Sequence, residues 1–313
     1  MTPTVLQRGV TAAVLIVLLA LPWLINPYAI STMSRILVFA LLAISVNLLT
    51  GVTGLPTLGQ AAYFGVGAYT GAIVARTVTD VGPAQVVVAA LAAAVTAALT
   101  GPLAMRARGV AFLMITLAIG EIAYTAAGRL EPITNGTDGL SGIPPVVPLP
   151  GMEPLVIDGL VYYYVLAGFL LLYVLVAILL RSPFGLALRG LRDNEARLRA
   201  VGYPATSFAL TAYCLAGAIA GAAGSLWTSV QNFVAPEDMG FQVAALALLA
   251  VIIGGVGSMW GACVGAALVV LTRDYLGGYV AGHGPLLLGM LFVIVVFALP
   301  RGLAGASRRA VRA

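Results

Sequence analysis

The chain has 313 residues, of which 61% are apolar and only 9% are charged, whereas about 25% of the residues in an ordinary soluble domain are charged. Its net charge is +5, and every cationic residue is Arg, because the sequence contains no Lys. These values exclude a soluble enzyme, a nucleic-acid-binding protein and a disordered chain. They predict an all-α polytopic membrane protein.

The absence of Lys and the scarcity of His restrict the chemistry that this chain can perform. A standard P-loop needs a Lys to reach the outer phosphates of a nucleotide, so any ATP must bind to another subunit. His283 is the only His, lies in a turn-like Gly-Pro stretch and is expected to be a loop residue. Cys214 and Cys263 lie in apolar stretches and are expected to be buried free thiols.

Ten apolar segments are long enough to approach the roughly 20 residues that a helix needs to cross a bilayer. The first follows Arg8 and resembles a signal peptide, but it lacks a convincing cleavage site and is interpreted as a retained helix. Gly217-x-x-x-Gly221 and Gly261-x-x-x-Gly265 predict close helix packing. The predicted spans are 9–25, 35–50, 55–75, 84–104, 109–128, 160–180, 207–230, 241–257, 259–276 and 285–300.

The distribution of Arg predicts the orientation, since cytoplasmic loops carry the excess of positive charge. With ten spans and a cytoplasmic N-terminus, twelve Arg face inward and four face outward, and both termini are cytoplasmic. The inward set is Arg8, Arg106, Arg108, Arg181, Arg189, Arg192, Arg197, Arg199, Arg301, Arg308, Arg309 and Arg312, and the outward set is Arg35, Arg76, Arg129 and Arg273.

The chain is predicted to form a single domain, 1–313. Two of its connecting segments are long enough for their composition to be interpreted. Residues 129–159 are rich in Pro and acidic, and are predicted to be an extracytoplasmic loop, largely without regular structure, that is either a simple connector or faces a soluble partner. Residues 181–206 are basic, and a cytoplasmic amphipathic helix is predicted from the cap Ser182 to the terminating Gly202. Such a helix lies on anionic lipid or docks into another protein.

Polar residues within the spans are candidates for a transport pathway. The third span opens with Gly, Pro and Thr at a density that weakens a helix, and broken backbone at membrane depth is tolerated only inside protein or beside a watery cavity. Asn47, Thr57 and Gln60 therefore either line a polar path or satisfy neighbouring backbone groups. Glu121 is an intramembrane carboxylate, which is expected to face the bundle interior, where it either lines the path or is paired or protonated in a structural role.

Several sequence blocks resemble one family. Residues 45–70, SVNLLTGVTGLPTLGQAAYFGVGAYT, closely resemble the signature of branched-chain amino acid ABC transporter permeases. The loop TNGTDGLSGIP at 134–144 resembles the M-type (LivM-like) subunit more than its H-type partner. Three further blocks agree: RGVAFLMITL at 108–117, SPFG at 182–185 leading into LRDNE at 191–195, and GGVGSMWG at 254–261.

The resemblance implies an ABC importer permease fold in a bacterial inner membrane. Two permeases, typically one of each type, would form the path, two cytoplasmic ATPases would hold ATP and Mg, and an extracytoplasmic binding protein would deliver substrate. No cofactor is expected in this chain. The segment 183–201 resembles the coupling segment that docks into an ATPase. Its contact candidates are Arg192, Asp193, Asn194, Glu195 and Gly202.

Other functions remain open at this point. A standalone secondary transporter or channel is favoured by the polar breaks but disfavoured by the scarcity of intramembrane carboxylates. A membrane enzyme would depend on Glu121, Asp138 or His283, whose spacing suggests no shared site. Within the family, related permeases carry urea, short amides or other amino acids, and no short motif here separates these substrates.

Overall fold

The computed structural model describes residues 17–22, 26–276, 289–290, 293 and 302–303. This part of the chain is helical, with two isolated β-bridges and no strand, as the composition predicted. Eight helices of 13 to 27 residues form the bundle, and three shorter ones lie in loops. The helices are α1 (Pro27–Asn47), α2 (Gln60–Thr77), α3 (Gly82–Ala104), α4 (Val110–Arg129), α5 (Glu131–Thr134), α6 (Asp158–Arg181), α7 (Pro183–Asp193), α8 (Glu195–Ala200), α9 (Ala205–Gln231), α10 (Phe241–Gly254) and α11 (Met259–Leu271).

Eight of the ten predicted spans correspond to these bundle helices, although several ends differ by a few residues. The first span, the tenth span and His283 lie wholly or largely outside the described residues, so ten spans and cytoplasmic termini stay predictions. Five described helices are long and apolar enough to cross a membrane. They are Tyr28–Thr53, which includes a continuation of α1, together with Gly82–Ala104, Val110–Arg129, Asp158–Arg181 and Ala205–Gln231.

Helix α1 forms the centre of the bundle. In its most apolar 18-residue stretch 94% of the residues are buried, and α6, α9, α10 and α11 pack around it. The corresponding stretches of α3, α4 and α6 are only 22 to 28% buried. These three helices are apolar on nearly all sides, so they place their outer faces at the periphery, where lipid or another subunit covers them.

Small residues set the distance between α9 and its neighbours. A Cβ atom placed at Gly217 would lie 2.7 Å from the Ala97 Cβ on α3. On the other side of the bundle, a Cβ at Gly265 of α11 would collide with the Ala250 carbonyl of α10. Both GxxxG motifs therefore mediate close helix packing, as predicted.

The described loops gather at two opposite ends of the bundle. Residues 105–109 and 182–204 meet at one end, where Arg108 pairs with Glu195, and we call this the basic end. At the other, the loop end, β-bridges join Val81 to Val147 and Leu140 to Val234. The sidedness of the described Arg matches the predicted alternation: Arg106, Arg108, Arg181, Arg189, Arg192, Arg197 and Arg199 lie at the basic end, and Arg35, Arg76, Arg129 and Arg273 lie toward the loop end.

The Pro-rich loop 129–159 is irregular, as predicted, but it is held against the bundle. It contains only α5 and one 3-10 turn, while Leu140, Ile143, Val146 and Val147 are buried. The two β-bridges attach it to the 78–81 and 232–234 connections. Its apolar residues thus form a cover over the loop end rather than a free connector.

Candidate functional site

The break in the third predicted span lies between α1 and α2 and is mostly buried, apart from the exposed Gly54. Residues Leu48–Thr53 form a π-helical turn, Gly54 adopts a left-handed φ of 75°, and the chain is then irregular up to Gly59. The Leu55 N–H donates to the Leu49 carbonyl (2.9 Å), and the Leu58 N–H donates to the Thr116 hydroxyl on α4 (3.2 Å). The predicted broken backbone is confirmed, and protein groups satisfy it as they must away from water. We call residues 48–59 the broken segment.

The three polar candidates of this region have different surroundings. The Asn47 Oδ1 atom accepts a hydrogen bond from the Gly257 N–H (2.8 Å), which ties the end of α1 to the α10–α11 turn. The Thr57 hydroxyl accepts from the Gly59 N–H (3.1 Å) and so stabilises the broken segment itself. Gln60 is only 1% exposed, yet neither its amide nitrogen nor its amide oxygen has a hydrogen-bond partner among the described residues.

Gln60 is the first residue of α2, at the junction of the broken segment with α4. A Cβ placed at the preceding Gly59 would lie 3.0 Å from the Thr116 carbonyl, so α4 approaches this junction closely. A buried amide without partners is costly, and a few such groups persist where a site has another use for them. Of the three, Gln60 is therefore the strongest candidate for contact with a transported molecule.

Glu121 does not face the interior of this chain. It lies near the middle of α4 on an exposed face, beside Ile122 (69% exposed) and Tyr124 (36% exposed). The expectation that it faces the bundle interior is wrong because hydropathy does not distinguish an interior face from a face that another subunit covers. A carboxylate at this depth is too costly to expose to hydrocarbon, so this face of α4 requires protein or water beside it.

The predicted coupling helix 183–201 is divided into α7 and α8. The division occurs at Asn194, whose backbone is extended and whose Oδ1 accepts from the Arg197 N–H (2.9 Å) as the N-cap of α8. The prediction missed this break because the apolar and basic pattern continues through it, although an Asn followed by Glu is a helix-start signal. Gly202, with φ of 95°, ends α8 as predicted.

Helix α7 buries its apolar side under the bundle. Leu188 (0% exposed) and Leu191 (7% exposed) belong to the main hydrophobic core, whereas Leu186 is 62% exposed. The Arg189 side chain donates to the Leu180 carbonyl (3.1 Å) at the end of α6. Since its main apolar side is covered by the chain's own helices, α7 is poorly suited to lie on a lipid surface.

Two further coupling candidates, Glu195 and Arg192, contact segments outside α7 and α8. Glu195 accepts hydrogen bonds from Arg108 (2.8 and 3.1 Å) and from Arg199 (2.7 Å), which fixes α8 to the α3–α4 turn. The Arg108 hydrogen bonds and the neighbouring positive charges hold the pKa of Glu195 below its ordinary value. Arg192 is exposed on α7, but its guanidinium turns toward the bundle and its Nη1 donates to the Gly51 carbonyl in the broken segment. Asp193 is exposed.

Reversing the charge of Glu195 is expected to lower the thermal unfolding midpoint in detergent. Glu195→Arg would place three guanidinium groups together, whereas the native pair is part-exposed and contributes about 1 kcal/mol at most. Combining it with Arg108→Glu should restore most of the loss, and Arg197→Glu is the control, because the Arg197 side chain is exposed. A Glu195→Arg protein with an unchanged midpoint would contradict this ion pair.

The stabilisation that the Arg108–Glu195 pair contributes should depend on pH. It should disappear as the pH falls below the ordinary pKa of Glu, because the folded state lowers that pKa.

The loop end contains another ion pair and an open depression. Arg35 on α1 contacts Asp274 (3.3 Å), whose side chain is 8% exposed, and this pair joins α1 to the chain after α11. The depression has a volume of about 480 Å³. Arg76, Glu131, Asn135 and Ser141 line it together with apolar residues, so it faces the outside of the bundle with mixed charge.

Comparison with known proteins shows which family this chain resembles. Residues 28–299 match a family model described as "Branched-chain amino acid transport system / permease component". The chain is 29% identical to the high-affinity branched-chain amino acid transport system permease protein LivM of Salmonella typhimurium and to that of Escherichia coli, over 97% of this chain and 76% of each relative.

An archaeal relative is also similar. The probable branched-chain amino acid transport permease protein LivH of Methanocaldococcus jannaschii is 27% identical over 84% of this chain and 85% of its own length. No solved structure is significantly similar. Because the family match covers most of the chain, including the broken segment, α7 and α8, the chain belongs to the branched-chain amino acid transport permeases and is LivM-like.

Proposed function

We propose that this chain is the transmembrane permease subunit of an ATP-driven ABC importer for branched-chain amino acids. It forms a single domain in the bacterial inner membrane, with ten spans and both termini in the cytoplasm. The names of the LivM and LivH relatives support the substrate class. The absence of Lys supports the assignment of ATP and Mg to separate ATPase subunits.

The observation that carries this proposal is the exposed face of α4. Glu121 at mid-span needs a polar or protein environment that the described residues of this chain do not provide. A second, H-type permease placed against α4 would cover that face and complete a path between the two subunits. Asn47, Thr57 and Gln60 border the break beside α4, so the same path would pass close to them.

The two ends of the bundle fit different soluble partners. At the basic end α7 and α8 present exposed polar groups, including Asp193 and Arg197, to the two cytoplasmic ATPases. Asn194 and Gly202 shape this surface as a cap and a terminator, and Glu195 positions α8. At the loop end the covered surface and its open depression would receive the extracytoplasmic binding protein.

Uptake by the reconstituted complex tests this function. The chain would be placed in proteoliposomes with the H-type permease, the two ATPases and the binding protein encoded beside it. Labelled Leu, Ile and Val are expected to accumulate only with ATP on the ATPase side. Uptake by this chain alone would instead identify a secondary transporter or channel. Uptake of urea or a short amide, with no competition by Leu, would assign it to a related importer.

A further inference from the structure

Arg192 lies where three parts of the chain meet at the basic end. Its Nη1 donates to the Gly51 carbonyl in the broken segment. A Cβ placed at Gly54 would lie 3.3 Å from the Arg192 Cβ, and one placed at Gly257 would lie 3.0 Å from the Arg192 Nη1. The end of α7, the broken segment and the α10–α11 turn are therefore in contact around this one side chain.

The local backbone explains why the Gly51 carbonyl needs a donor from elsewhere. The N–H groups of Gly54 and Leu55 both donate to the Leu49 carbonyl as the π-helical turn ends. The next residue is Pro56, which has no N–H to offer. The Gly51 carbonyl thus has no helical partner at the end of the turn, and the guanidinium of Arg192 supplies the missing donor.

The α10–α11 turn is fixed to the same point. Asn47 accepts from the Gly257 N–H, and a Cβ at Gly51 would lie 2.7 Å from the Gly257 Cα. Gly257 itself has a left-handed φ of 90°, so the turn allows this approach only with glycine. Movement of Arg192 would consequently act on the broken segment and on the start of α11 together.

We propose that Arg192 is a positioning residue that transmits displacement of the coupling segment to the broken segment, rather than a contact for the ATPase. The inference rests on the proposed function, since it concerns how ATP-driven motion reaches the transport path. The route runs from α7 through Arg192 to Gly51, and then along residues 54–59 to Gln60 at the start of α2. Glu195 provides a separate attachment, to the α3–α4 turn.

Arg192→Ala separates these two roles when ATP hydrolysis and uptake are measured on the same purified complex. Because Asp193 and Arg197 on the ATPase-facing surface are unchanged, hydrolysis is expected to stay within about twofold of wild type, while uptake falls about tenfold or more. Arg106→Ala, which removes an exposed Arg from the α3–α4 turn at the same end, is the matched control. Loss of hydrolysis together with loss of the ATPase subunits from the purified complex would overturn the proposal, as would unchanged uptake.

A covalent replacement of the contact gives the decisive test. The test introduces two cysteines, Gly54→Cys and Arg192→Cys, and removes the native ones by Cys214→Ala and Cys263→Ala. The Cβ atoms of the two new cysteines would be separated by a distance close to the roughly 3.5–4.5 Å of a disulfide. The reduced complex should hydrolyse ATP without uptake, and oxidation to the disulfide should restore uptake severalfold, because the bond replaces the guanidinium contact.

The outcomes of this test separate failure of the proposal from failure of the function. A disulfide that forms, as judged by loss of free thiols, without restoring uptake would overturn the role of Arg192. Gly54→Cys alone in the same background shows whether the left-handed position tolerates the change, and if it does not, the ratio of uptake to hydrolysis in Arg192→Ala decides. If the wild-type complex shows no ATP-driven uptake, the proposed function itself is wrong.

Discussion

Gly224→Ala is expected to prevent stable folding of the bundle. Gly224 lies on α9 against α2, where a Cβ would collide with the Phe64 carbonyl and lie 2.7 Å from the Ala68 nitrogen. Both obstacles are backbone atoms of a buried helix, so no side chain can move aside. Overpacking typically costs about 1–3 kcal/mol and occasionally more, and a collision with backbone that cannot move aside lies at the upper end of that range. This is a large part of the roughly 5–15 kcal/mol that separates folded from unfolded protein.

The comparison for this prediction is Gly128→Ala on α4. A Cβ at Gly128 meets nothing within 4 Å, and alanine is the better helix former by about 1 kcal/mol. In detergent, Gly128→Ala should unfold at or slightly above the wild-type temperature, whereas Gly224→Ala should aggregate or unfold many degrees lower. Equal unfolding temperatures for the two variants would show that α2 and α9 are not packed as described.

Gln60→Leu is expected to stabilise the protein and to impair transport. Its buried amide has no described partner, so replacing it with an apolar side chain of similar size removes a desolvation cost of about 1–3 kcal/mol. The same amide is the candidate contact for a transported molecule beside the broken segment. Uptake should therefore fall at least tenfold while the unfolding temperature rises. Both quantities are measured on the same purified complex.

Thr57→Val is the contrasting variant for Gln60→Leu. The Thr57 hydroxyl accepts from the Gly59 N–H, so its removal leaves a buried donor unpaired and should lower the unfolding temperature. Opposite shifts in stability for these two neighbouring residues would separate a structural polar group from a functional one. A Gln60→Leu protein that is less stable and transports normally would assign Gln60 to structure alone.

The sequence predicted the features that depend on residues close together along the chain. Apolar segments of sufficient length predict the bundle helices, and the Gly, Pro and Thr of residues 50–60 predict the break between α1 and α2. Gly202 predicts the end of α8, because a left-handed terminator acts within one turn of its helix. These signals are local, so they can be interpreted without knowledge of the fold.

The contacts that build the site join distant parts of the chain and were not predicted. Arg192 and Gly51 are 141 residues apart, and Asn47 and Gly257 are 210 residues apart. The packing of α7 against the broken segment and of α11 against α1 brings these groups together. The exposed position of Glu121 was missed for a related reason, since the rotation of α4 depends on its neighbours and not on its own composition.

The deep burial of α1 affects how the protein responds to changes in the surrounding bilayer. Helices α3 and α6 lie at the periphery and are about 34–36 Å long at the usual rise per residue. Changes in bilayer thickness or lipid type therefore act mainly on these outer helices, which adjust by tilting. Protein surrounds most of α1 and of the π-helical turn that continues it, so these two elements are largely shielded from such changes in the lipid.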